Sequence, residues 1–166
     1  MNNSWRVTFP ALPRSLEQLL RLPEASLQAP HYAAALLIPA LCLWPSDREA
    51  AMEIINFLKG PSPLSPYEIS FIGERLRGKE YTPLSYFDGA TPQNGYVPSE
   101  PYTVTVIAVP NSFAENGYAK LHLRSGGADS TRPVQLRLKP STGQWFLIDQ
   151  FLLSEIRPPV SADPWA

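Results

Sequence analysis

Apolar and polar positions alternate with two different periods in this chain, and the change from one to the other divides it near the middle. In the second half the period is two. Ala119, Leu121 and Leu123 alternate with Lys120, His122 and Arg124, and Val134, Leu136 and Leu138 alternate with Gln135, Arg137 and Lys139. Such a pattern predicts strands with one buried and one wet face, the arrangement of an antiparallel sheet. Four strands are expected, over residues 102–109, 118–124, 132–139 and 144–153. Pro140-Ser141-Thr142-Gly143 joins the last two, with Pro presetting φ and Gly tolerating a positive one. The last strand carries Trp145, Phe146, Leu147, Ile148, Phe151 and Leu152 and is apolar on both faces. It should therefore be covered twice, by a buried helix on one side and by the aromatic segment that precedes the sheet on the other.

The first half follows a helical period. Ser15-Leu16-Glu17-Gln18 reads as a capping box that starts a short helix ended by Pro23. Tyr32 to Trp44 is apolar all round, the mark of a buried helix, and Pro39 inside it is expected to kink it or split it. Ser46-Asp47-Arg48-Glu49 is a second box, followed by the stripe Ala51, Ile54, Ile55 and Leu58, with Gly60 and Pro61 as the stop. Ser65-Pro66-Tyr67-Glu68 is a third, followed by Ile69, Ile72 and Leu76 and closed by Gly78. Residues 1–14, with Trp5, Val7 and Phe9, read as an extended arm packed on the domain. Residues 79–101 show no period but carry Tyr81, Tyr86, Phe87 and Tyr96, so they read as an ordered aromatic loop rather than a disordered one. Residues 154–166 form a Pro-broken tail with Trp165 as its anchor.

These elements make one α+β domain spanning 1–166, with N-terminal helices (15–78) packed on one face of a C-terminal antiparallel sheet (102–153) of about four strands. Composition changes this picture little. Proline is frequent, 19 in 166 residues against a usual ~5%, which explains the many forced boundaries. A net charge of −1 gives the whole molecule no pull on nucleic acid, which is not expected as a partner. The longest apolar run, interrupted by Pro39, falls short of the roughly 20 residues of a membrane span. No leader is read at the N-terminus, and a cytoplasmic location is the expectation.

Candidate chemistry is sparse. The chain has one cysteine and two histidines, so no Cys-based or His-rich metal site can be assembled within it, and no metal or cofactor is expected. Cys42 sits in the apolar helix, where a thiol behaves as a small buried hydrophobe rather than a nucleophile. No Gly-x-Ser-x-Gly elbow occurs. The best candidate is the wet face of the second and third predicted strands. Lys120, His122, Arg124, Arg137 and Lys139 should project together there, and residues 118–139 hold five Lys/Arg against the single carboxylate of Asp129. Such a face could hold phosphate or another anion; the plainer reading is a solvated strand face. Gly126 and Gly127, in the loop between those strands, could offer backbone N–H groups to the same anion, or simply make the turn. Tyr81, Tyr86, Phe87 and Tyr96 could present a stacking surface, and the favoured alternative is that they anchor the loop to the core.

Several strings are familiar in combination. Ser85-Tyr86-Phe87-Asp88-Gly89-Ala90-Thr91-Pro92, Gly126-Gly127-Ala128-Asp129-Ser130, Ser141-Thr142-Gly143-Gln144-Trp145-Phe146-Leu147 and Asp163-Pro164-Trp165-Ala166 resemble an uncharacterised bacterial domain family found mainly in Firmicutes. The resemblance runs from the apolar helix to the C-terminus. It implies that the long aromatic loop belongs to the domain, and it transfers no catalytic or binding residue. The expected function is a non-enzymatic interaction or ligand-binding module, with a protein partner or a second copy as its partner. The alternative is an anion- or phospholigand-binding protein, or a small enzyme, that uses the basic strand face.

Overall fold

The sheet expected in the second half of the chain is present, and it gains a fifth strand from the first half. The computed structural model describes residues 3–166. Its strands are β1 (Asn3–Phe9), β2 (Tyr102–Ala108), β3 (Tyr118–Leu123), β4 (Arg132–Lys139) and β5 (Gln144–Gln150), and its α-helices are α1 (Leu16–Leu20), α2 (Pro30–Leu43), α3 (Arg48–Lys59) and α4 (Pro66–Leu76). The strands lie in the order β1-β2-β3-β4-β5, every neighbouring pair antiparallel. The arm expected over residues 1–14 is thus a strand over most of its described length. It pairs with β2 without a break, from Asn3 opposite Ala108 to Phe9 opposite Tyr102. Val7 and Phe9 turn into the core while Ser4, Arg6 and Thr8 stay wet, the same alternation that marks the other strands.

Helix α2 explains why one face of the sheet is apolar. It crosses all five strands, and every residue from Ala33 to Leu41 is buried. Its far side is covered by α3, whose Ala51, Ile54, Ile55 and Leu58 stripe faces inward as the sequence pattern requires. Pro39 does not split the helix. Its ring is buried with its neighbours, and packing on both sides outweighs the one backbone hydrogen bond that proline removes. The caps differ in two places from expectation. At α1 the Ser15 hydroxyl accepts from the Gln18 N–H, but the Gln18 side chain reaches the Arg14 N–H rather than that of Ser15. Asp47, not Ser46, caps α3 by accepting from the Ala50 N–H at 3.2 Å, while the Ser46 hydroxyl donates back to the Leu43 carbonyl. The reciprocal box of Ser65 and Glu68 starts α4 as expected.

Residues 79–101 are ordered, and their aromatic side chains face inward. Phe87 forms an antiparallel bridge to Val104 of β2. The Tyr81, Tyr86 and Tyr96 hydroxyls donate to the carbonyls of Ile156, Leu152 and Arg157, tying the loop to the chain that follows β5. This corrects the expected second cover of the last strand, because the loop reaches the segment beyond β5 rather than β5 itself. Phe146 is instead met by Gly60 at the end of α3. Trp165 anchors nothing: it is 93% exposed.

Gly60 leaves no room for a side chain. Its φ is +58°, in the left-handed region, and a Cβ there would run into the Phe146 ring. Gly60→Ala should therefore lower stability by about 2 kcal/mol or more, because strain and overlap add. Chemical denaturation should show the loss as a lower midpoint with an unchanged slope. Tyr86→Phe strands the buried Leu152 carbonyl and should cost about 1–3 kcal/mol in the same experiment.

Candidate functional site

The basic strand face takes shape from the pairing of β3, β4 and β5. Lys120, Arg124, Arg137 and Lys139 are exposed and His122 is half-buried, on the side of the sheet away from α2. Cross-strand register then separates them. Tyr118 lies opposite Arg137, which lies opposite Phe146, so one row runs ring, guanidinium, ring. The Arg137 guanidinium sits 5.5 Å from the centre of the Tyr118 ring, a cation–π distance that restrains the charge. Lys120 lies opposite Gln135, which lies opposite Asp149. Arg124 falls just past the end of β3.

Around the first row the surface is concave. Tyr118, Arg137, Leu138, Lys139, Pro140 and Phe146 form one side of a trough of about 450 Å³, and Lys59, Pro61 and Ser62 form the other. No carboxylate lines it. Among the described residues Arg137 and Lys139 have no acidic partner within ion-pair distance, whereas Arg6, Arg21, Lys59 and Arg157 each have one. The structure therefore brings together two of the predicted cations, Arg137 and Lys139, and leaves Lys120, His122 and Arg124 outside the trough. Of these side chains His122 is the least disposed to carry a charge. Partial burial, and then the neighbouring Lys120, push its pKa down, and its Nδ1 lies 3.1 Å from the Thr131 hydroxyl.

Gly126 and Gly127 are not part of this surface. The Gly126 N–H donates to the Ser85 carbonyl and the Gly127 N–H to the Ser125 hydroxyl, so neither is left for an anion. Both are glycine because other atoms press on them: a Cβ would overlap the Ala90 carbonyl at one and the Tyr96 hydroxyl at the other. Tyr86, Phe87 and Tyr96 are buried and Tyr81, half-buried, stacks on Tyr96 at 5.4 Å, which leaves anchoring as their role and removes the stacking surface. At Cys42 burial pushes the thiol pKa far up, as the apolar helix implies.

Sequence reasoning missed Tyr118, Phe146, Pro61 and Ser62. The signal for Phe146 was present: an aromatic side chain at a wet position breaks the alternation of its strand.

Lys59 divides the trough from a second hollow on the helix side of β5. That cleft, about 260 Å³, lies between α4 and β5 over α2 and α3, with Tyr67, Phe71, Ile148 and Phe151 at its walls. Lys59 is 5% exposed, and its ammonium donates to the Ile148 carbonyl at 3.2 Å and pairs with Glu68 at 3.0 Å. Among the described residues no cluster of His, Cys, Asp or Glu is arranged to hold a metal ion, and no helix is long and apolar enough to cross a membrane.

A family model described as Domain of unknown function (DUF6935) matches residues 11–160. The chain belongs to that family. Its span takes in all four α-helices, the aromatic loop and β2 to β5, and leaves β1 outside. No curated protein and no solved structure matches the chain.

The Lys59–Glu68 pair makes a pH-dependent prediction. Partial burial works against the charged Glu68 carboxylate, but the Ser65 N–H and the Lys59 ammonium outweigh it and hold the pKa below the ordinary value of 4.5. A depressed carboxylate contributes stability above its unfolded pKa and loses that contribution as pH falls through the folded one. Glu68→Gln should therefore be less stable than the wild type at neutral pH. The difference in urea midpoint should shrink as pH drops below about 4.5 and should not grow there.

Proposed function

We propose that this domain is a non-enzymatic binding module whose trough holds a small anion carrying a flat apolar body. The observation that supports this reading is the row Tyr118–Arg137–Phe146, in which a guanidinium without a carboxylate partner lies over the Tyr118 ring, with Phe146 opposite on the next strand, in a concave surface. Arginine in such a setting can bind an anion through two parallel N–H donors, while Phe146, Leu147 and Pro61 offer the apolar wall. Lys139 adds a second, more mobile positive charge. The volume lies within the range of small-ligand sites, ~300–1,000 Å³. Cations, rings and prolines hold a ligand; the reading assigns them no bond-making step. The proposal places the module in the cytoplasm, where a single unpaired thiol is ordinary.

Phenyl phosphate and inorganic phosphate are the probes, titrated while amide shifts are followed by NMR. Phenyl phosphate should bind more tightly than phosphate and should shift residues 118, 137–139 and 146. Arg137→Glu should weaken it by about tenfold to a hundredfold, the loss of a charge-assisted contact, and Arg124→Glu should leave it unchanged. Absence of binding, or equal affinity in Arg137→Glu, rejects the reading.

A further inference from the structure

The two edges of the sheet are treated differently. The β5 edge is closed. Its Trp145 N–H donates to the Leu27 carbonyl at 2.8 Å, its Ile148 carbonyl accepts from Lys59, and the register breaks by one residue opposite Gln135 and Leu136. The β1 edge has none of these devices. It runs seven residues with no bulge against β2, and it contains neither lysine nor proline. Edge strands of this length are normally blunted by one of them, since bare N–H and C=O groups recruit another strand.

Which groups are bare follows from the ladder. The Thr103 carbonyl accepts from Asp88, away from β1, so Tyr102, Val104 and Val106 are the β2 residues whose backbone faces β1. In an antiparallel ladder their partners Phe9, Val7 and Trp5 face β2, and Ser4, Arg6 and Thr8 face outward. Among the described residues no hydrogen bond reaches the backbone N–H or C=O of these three.

We infer that two copies of this chain pair antiparallel along β1, forming a continuous ten-stranded sheet. One register engages every outward group: Arg6 opposite Arg6 of the second copy, and Ser4 opposite its Thr8. That register also keeps both faces matched. Trp5 meets the second copy's Val7 on the helix side, an aromatic–β-branched pair of the kind that stabilises sheets. On the wet side two arginines meet, but each brings its own carboxylate, because Asp88 pairs with Arg6 at 2.6 Å. The pairing is isologous, and with the β5 edge closed it ends at a dimer instead of growing into a fibre. A second copy is favoured over an unrelated strand by this self-matching of faces and charges.

Sedimentation of the full chain across micromolar concentrations tests it. The wild type should populate a dimer. Arg6→Pro removes an outward N–H, which an edge strand tolerates, along with the exposed Arg6–Asp88 pair, and should weaken dimerisation by on the order of tenfold or more. Arg6→Glu keeps the backbone intact but brings two glutamates beside two Asp88 carboxylates, and should weaken it similarly. Circular dichroism checks that each variant is folded, and Arg6→Glu decides the matter if Arg6→Pro is not. A wild type that stays monomeric throughout, or a dimer unaffected by Arg6→Glu, overturns the inference.

Discussion

A helix without a polar face has to be covered on every side, and α2 is such a helix. The requirement shapes what surrounds it. One side needs a sheet whose facing residues are all apolar, which Val104, Val106, Leu121, Leu123, Val134, Leu136 and Leu147 supply. The opposite side needs an amphipathic partner, which α3 supplies. Alanines at 33, 34, 35 and 40 keep the helix slim enough for both layers to approach. Each fully buried Leu or Ile adds about 1.5–3 kcal/mol, so the helix and its two covers are the energetic centre of the fold. Because that demand falls on one face of the sheet only, the other face is left to polar chemistry.

Most of this architecture was legible because two periods are written plainly in the chain. Strands β3 and β4 alternate cleanly, and helices α3 and α4 begin at capping sequences and end at glycines. Strand β1 was legible only in part. Trp5, Val7 and Phe9 alternate with polar residues, but the segment is short, prolines at 10 and 13 give it the look of a loop, and its partner is far along the chain: Thr8 meets Thr103 across 95 residues. A local pattern carries no information about a pairing so distant. The same limit applies to the tyrosines of the long loop. Their composition argued for anchoring, and the carbonyls they reach lie more than 60 residues away.

The candidate site shows where parity stops being enough. Period two correctly put Lys120, Arg124, Arg137 and Lys139 on the wet face, since a strand fixes which way each side chain points. It could not say which of them meet, because that depends on register and on what borders the sheet. Register set Arg137 between Tyr118 and Phe146, and the turn after α3 supplied the opposite wall. Gly126 and Gly127 misled for a related reason. Glycine serves equally where a backbone approaches an anion and where another protein group crowds the chain, and only the surroundings tell these apart.

Lys59 connects these features. Burying an ammonium is unfavourable, and a well-packed apolar residue at such a place is often at least as stable. What a leucine could not do is satisfy the Ile148 carbonyl. The register skips Ile148 between Leu147 and Asp149, so that carbonyl has no partner in β4, and the lysine donates to it while its remaining charge is met by Glu68. One side chain thereby fastens α3, β5 and α4 together and closes the edge of the sheet. It also keeps the two hollows apart, so that the basic trough on one face and the apolar cleft on the other are separate surfaces with different chemistry. On this argument the charge is retained for the geometry it imposes rather than for the stability it adds.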